Sequence, residues 1–315
     1  MLLTVFISAL LADDSTDAFQ REKVLIRSSI DGAEQPCYVI LPKNFDASAA
    51  PAPLLVSLHT WSGDVEQRHP DLERAAARRG WIYLFPHFRG ANRTPDACAS
   101  PRAQQDILDA VQWAIGRFPV DTRRIYLTGA SGGGHMAMLM AGRYPRQWTA
   151  VSAWVGISDL AAWHEKHAES NYGEMLRQCC GGPPGESASI DEQYRVRSPK
   201  TWLAGAADVA LELAAGIHDG HTGSVPIRHT LEAFNVVAGV QNLPLISELE
   251  IADLSRADGR LESPQSSDTA EDPSYGRSIY LRRTAGKCRV TIFEGGHERL
   301  DEASLEWLSR HVKPE

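Results

Sequence analysis

The chain has 315 residues, 43% of them hydrophobic and 23% charged, with a formal net charge of −8. That length suits one large α/β domain with a substantial core and is short for two. No Lys/Arg cluster interrupts the acidic balance, so nucleic acid is not expected as a partner.

In chain order, residues 1–12 (MLLTVFISALLA) are apolar and give way to Asp13-Asp14-Ser15. They read as the hydrophobic region of a secretory signal, although no Lys or Arg stands near the start. Residues 1–18 are therefore expected to be a signal or a disordered terminus of a secreted or periplasmic protein. The alternative is a buried first strand in a cytoplasmic one. The run is too short to span a membrane, and no other stretch approaches that length.

Residues 24–27 and 37–41 flank the turn dipeptide Asp31-Gly32 and predict an antiparallel hairpin at a sheet edge. Residues 54–58 (LLVSL) are a short apolar run, as a buried parallel strand requires. A helix over 71–79, stopped by Gly80, precedes a strand over 81–85. Helical periodicity returns over 103–118, with Ile107, Val111, Trp113 and Ile115 apolar. Residues 124–128 read as a strand and 134–144 as a helix rich in Ala and Met. Strands over 150–155 and 209–215, a helix over 227–240, a last strand over 289–293 and a last helix over 298–311 complete the series. Residues 258–275 are polar enough for a long surface loop. The alternation predicts a mostly parallel central sheet with helices on both faces. Residues 156–200 have weak periodicity and are expected to form a small cap over the strand ends, where substrates bind.

Five cysteines are an odd count, so at least one thiol is free or pairs with another chain. Cys37 and Cys288 lie in apolar, strand-like contexts and read as buried thiols. Cys98, Cys179 and Cys180 lie in polar, Gly/Pro-rich segments, where export would allow a bridge from Cys98 to one of the adjacent pair. Neither set has metal-site spacing. His218 and His221 flank Asp219 without a third ligand, so no metal is expected.

Three segments carry chemistry. Gly129-Ala130-Ser131-Gly132-Gly133 fits G-x-S-x-G between a strand and a helix. A serine on so sharp a turn has strained backbone angles and projects above the sheet, and the residues two before and two after it must be small. The N–H of Gly132 is then positioned for a developing oxyanion. Gly295-Gly296-His297 follows the last strand, where glycines let the imidazole approach the serine turn. Gly216-Ile217-His218-Asp219 follows the next-to-last strand of that reading and offers an acid for the far imidazole nitrogen. Asp159, in Gly156-Ile157-Ser158-Asp159 after the preceding strand, is the rival.

The order GASGGG, then GIHD followed by Val225-Pro226, then EGGH resembles the α/β-hydrolase superfamily, in its prolyl-oligopeptidase-like and esterase branch. The resemblance runs from Lys23 to the C-terminus. It implies an α/β-hydrolase fold, with residues 23–315 as a catalytic domain that carries the cap insertion. It also implies Ser131 as nucleophile, His297 as general base, Asp219 as acid and no cofactor. The loop His59-Thr60-Trp61-Ser62-Gly63 would supply the second oxyanion donor beside Gly132. Relatives usually carry His-Gly there, so Thr60 is a departure that leaves Thr60 or Trp61 as donor, with Trp61 preferred. A second departure is Gly220-His221-Thr222-Gly223-Ser224, which separates the acid from Val-Pro. The peptidases of the branch carry a large N-terminal β-propeller, and the segment before Lys23 is too short for one. The activity implied is hydrolysis of a carboxylic ester through an acyl-enzyme, on a small molecule or on acyl groups of a carbohydrate. The alternatives are a peptidase of small peptides and a non-catalytic scaffold on the same fold. Oligomeric state is left open.

Overall fold

The computed structural model describes residues 19–48 and 50–314. The apolar run over 1–12, with the signal read into it, lies outside them. Nine strands form one sheet: β1 Phe19–Arg27, β2 Glu34–Pro42, β3 Ala52–Leu58, β4 Ile82–Pro86, β5 Val120–Ala130, β6 Ala150–Trp154, β7 Ala210–Gly216, β8 Ile279–Ala285 and β9 Cys288–Phe293. Their order is β1-β2-β4-β3-β5-β6-β7-β9-β8. The run from β4 to β9 is parallel, β2 and β8 flank it antiparallel, and β1 pairs antiparallel with β2 at the edge. The helices are α1 Pro70–Arg78, α2 Pro101–Arg117, α3 Gly132–Arg143, α4 Leu160–His167, α5 Asn171–Cys180, α6 Ala188–Arg197, α7 Arg228–Val240, α8 Glu248–Leu254 and α9 Asp301–Ser309.

The central strands are apolar throughout because both of their faces are covered. In β3, Leu54, Val56 and Leu58 pack into one core with Ile107 of α2, Met138 of α3 and Phe234 of α7. Leu55, between them, faces the other way, into a core with Leu72 of α1 and Leu305 of α9. The two-residue side-chain period thus divides one run between two cores.

Several elements depart from the sequence reading. β8 extends the sheet beyond β9, with Ile279, Leu281 and Ala285 buried. α8 opens with a capping box formed by Ser247 and Glu250. The first strand also starts earlier, at Phe19. Residues 258–275 lack regular structure apart from one turn of 3₁₀ helix at Ser266–Thr269, as expected of a loop. Buried Asp268 anchors that turn by accepting the backbone N–H groups of Gln265 and Arg282.

Between β6 and β7, α4 to α6 form a separate apolar cluster with Trp61, Cys98 and Val225. Weak periodicity there reflects the shortness of the helices. Each starts on a side-chain N-cap, Asp159, Ser170 and Ser187 in turn. No helix among the described residues is long and apolar enough to cross a membrane.

Candidate active site

Parallel strands place their carboxyl ends on one edge of the sheet, and the residues singled out above follow those ends. Ser131 ends β5 and opens α3 with φ 57 and ψ −119, a conformation that costs a non-glycine residue about 1–3 kcal/mol. The neighbouring strand holds it there, since the Ser131 N–H donates to Trp154 O at 2.9 Å and the Ser131 carbonyl accepts from His135 N at 2.8 Å. The glycines are a steric requirement. A Cβ on Gly129 would collide with the Gly133 backbone, and one on Gly133 would lie 2.5 Å from Leu58 O. Ser131 keeps 8% of its surface exposed.

Asp219 and His297 meet across the loops after β7 and β9. Asp219 Oδ2 lies 2.8 Å from His297 Nδ1. The other carboxylate oxygen accepts the N–H groups of Gly220 at 2.9 Å and Val225 at 3.1 Å. The Asp219 side chain is fully buried, and its partners all come from the loops after β7 and β9. The five residues that separate Asp219 from Val225-Pro226 are what make this possible. They fold over the pair so closely that a Cβ on Gly223 would run into Asp219 Oδ1 and lie 2.7 Å from His297 Cβ. Gly220, at φ 88, starts that wrap. Among the described residues no hydrogen bond joins Ser131 Oγ to His297 Nε2. Such contacts are often long without substrate and tighten around it.

The rival acid is engaged elsewhere. Asp159 caps α4, accepting from Ala161 N at 3.0 Å and Ala162 N at 3.2 Å, and forms an ion pair with Lys200. Burial alone would raise its pKa, but Lys200 and the helix N–H groups hold it below the usual carboxylate range.

Two backbone donors stand beside the serine. The N–H of Gly132, first residue of α3, has no acceptor within the helix. A side chain on Gly132 would strike the backbone of Trp61, so the two segments are in direct contact. The Trp61 N–H has no acceptor among the described residues, whereas the Thr60 N–H donates to Gln67 Oε1 at 2.9 Å. Gln67 was invisible to the sequence reading, because nothing in its local pattern links it to a loop seven residues earlier.

Other side chains around the site have structural roles. His218 Nε2 lies 2.7 Å from Glu294 Oε1, and His221 Nε2 lies 3.0 Å from Ser255 O. Arg89 is held by Asp31 and Asp106, and Asn92 Oδ1 accepts the Cys98 N–H at 2.7 Å. Trp154 and Trp163 are fully buried, while Tyr172, 5.0 Å from Trp163 between ring centroids, keeps partial exposure.

The model of a family described as the prolyl oligopeptidase family matches residues 72–237. Acetylxylan esterase A of Emericella nidulans is 23% identical over 198 residues, 60% of this chain and 57% of its own length. Feruloyl esterase B of Talaromyces stipitatus is 25% identical over 203 residues, 60% of this chain and 49% of its own. The chain thus spans about half the length of these curated relatives. Among solved structures, the acylaminoacyl peptidase of Pyrococcus horikoshii superposes with a TM-score of 0.63 at 16% identity, over 93% of this chain and 41% of that one. Dipeptidyl peptidase 4 of Porphyromonas gingivalis gives 0.58 at 20% identity, over 72% of this chain and 31% of that one. These likenesses show the α/β-hydrolase fold.

Proposed function

The chain belongs to the prolyl oligopeptidase family, and from that premise we propose that it is a serine esterase that removes acyl groups from carbohydrate. The observation that carries the reading is the Asp219–His297 pair at the carboxyl edge of the sheet that also presents strained Ser131.

In this reading His297 Nε2 takes the Ser131 proton as Oγ attacks the ester carbonyl carbon. Asp219 keeps the other imidazole proton on Nδ1 and stabilises the imidazolium that forms. The N–H groups of Gly132 and Trp61 receive the oxyanion, each worth on the order of 10²–10³ in rate. His297 then protonates the leaving alcohol, and water repeats the sequence on the acyl-Ser131 intermediate. These steps draw only on side chains and backbone of this chain. The helices α4 to α6, which touch Trp61 through Trp163 at 4.7 Å between ring centroids, serve as the cap and wall one side of the acyl pocket.

Substrate class rests on the names of the relatives, acetylxylan esterase and feruloyl esterase. The apolar run over 1–12 supports export to a compartment where such polymers occur. N-terminal sequencing of the mature protein checks this; a start at Met1 would argue against it. The function test compares kcat/KM on an acetylated xylo-oligosaccharide and an unactivated methyl ester with that on aminoacyl p-nitroanilides. The esters are expected to be cleaved at least roughly a thousandfold faster, about 4 kcal/mol in the barrier. Anilide rates equal to those of the unactivated esters would replace this reading with a peptidase.

A further inference from the structure

Three cysteines that the mechanism does not use come together beside the site. Cys98 lies in the loop between β4 and α2, and Cys179 and Cys180 close α5. All three are buried in the apolar cluster that contains Trp61 and Trp163, and their thiols are free. The Cys98 and Cys179 side chains lie next to each other, and Cys180 is close enough to Cys98 to feel its charge.

The loop around Cys98 is built to hold that position. Cys98 and Ala99 both have positive φ, 48 and 55, unusual for residues other than glycine. Asn92 Oδ1 accepts the Cys98 N–H, and the Asn92 N–H donates to Trp61 O at 2.9 Å. Buried Arg197, at the end of α6, donates to the carbonyls of Pro95, Ala97 and Cys98. One strained segment therefore links α5, α6 and the loop that carries Trp61.

We infer that Cys98 and Cys179 are a disulfide-forming pair that fastens α5, and with it the helices α4 to α6, to the β4–α2 loop that Asn92 ties to Trp61. The two sulfurs are not equivalent. Burial opposes ionisation of Cys98, but contact with Cys179 and Arg197 outweighs it and lowers its pKa, while the Cys98 contact and burial push that of Cys179 up. Before α5 packs both thiols are exposed, and Cys98 can open the exchange as the thiolate. It displaces one thiol from a small disulfide, such as oxidised glutathione, to give a mixed disulfide. Cys179 then loses its proton and attacks the Cys98 sulfur, expelling the second thiol. One small disulfide is reduced to two thiols, and the protein gains one S–S bond. Because the sulfurs are buried, closure belongs to folding in an oxidising compartment, before α5 packs.

The test produces the full chain with an export leader into an oxidising bacterial periplasm, alongside a cytoplasmic preparation. Both are alkylated under denaturing conditions and weighed. The periplasmic protein is expected to have two fewer alkylated cysteines than the cytoplasmic one. Cys180→Ser should retain the bridge, and Cys179→Ser should lose it. The bridged form should melt higher than its reduced form, by roughly 5–10 °C for a loop of this length. Full alkylation of the periplasmic protein, a bridge that survives Cys179→Ser, or a stable mixed disulfide on Cys98 would overturn the inference. Should Cys179→Ser fail to fold, Cys179→Ala gives the same mass readout.

Discussion

Asp219 has both carboxylate oxygens engaged, two backbone N–H groups on one and His297 on the other. Replacing it by Asn keeps the shape but offers an amide where the imidazole N–H needs an acceptor, which favours the wrong tautomer. Asp219→Asn is therefore expected to lower kcat by about 10⁴, while Asp159→Asn leaves it near the parental value. A collapse in the Asp159 variant with an intact Asp219 variant would reverse the assignment. Gly223 is the second residue on which the pair depends. A methyl group there must displace Asp219 or His297, and a misplacement of about 1 Å can cost roughly a hundredfold. Gly223→Ala is expected to show that loss in kcat with circular dichroism unchanged, and full activity would show the wrap to be dispensable. Ser131, His297 and Asp219 could be picked as candidates from the sequence because each sits in a local signature: small residues around a strained turn, or a loop directly after a strand. Gly223 and Gln67 were not, since their roles come from loops that approach each other only in the folded chain.

At the scale of elements, the central strands could be read because burial on both faces leaves them uniformly apolar, as in Leu54-Leu55-Val56. The helices α4, α5 and α6 were missed as helices because each is only 8 or 10 residues long, too short for apolar periodicity to emerge. Their start signals were nonetheless present in Asp159, Ser170 and Ser187. β8 carries alternation in Ile279 and Leu281, but the half-buried positions between and after them hold Tyr and Arg, which blend with the polar loop before it. The N-caps lead to a test. Asp159→Ala removes the acceptor for two helix N–H groups and the ion pair with Lys200, and is expected to cost about 1 kcal/mol of stability. Asp159→Asn should retain most of that through the cap. Urea midpoints for the two variants check this, and equal losses would assign the effect to the ion pair instead.

Across the whole molecule, burial holds His135 and His229 at about 4, below the ordinary histidine value of 6.5. The unfolded chain binds protons at these sites as pH falls below about 6.5, and the folded protein cannot until about 4. Their contribution to stability is thus fully present above the upper value and is lost on acidification between the two. The slope approaches about 1.4 kcal/mol per pH unit for each histidine. Urea midpoints should therefore fall steeply through that window, and a flat profile would mean that these rings titrate normally. Beyond stability, the proposed function makes the sheet edge, its loops and the helices beside them converge on one atom, Ser131 Oγ. Reaction with a fluorophosphonate, followed by intact mass and peptide mapping, tests that convergence most directly. The account predicts a single adduct on Ser131, with no adduct and a loss of kcat on the order of 10⁶ in a folded Ser131→Ala variant. Undiminished labelling and ester hydrolysis in Ser131→Ala would contradict it.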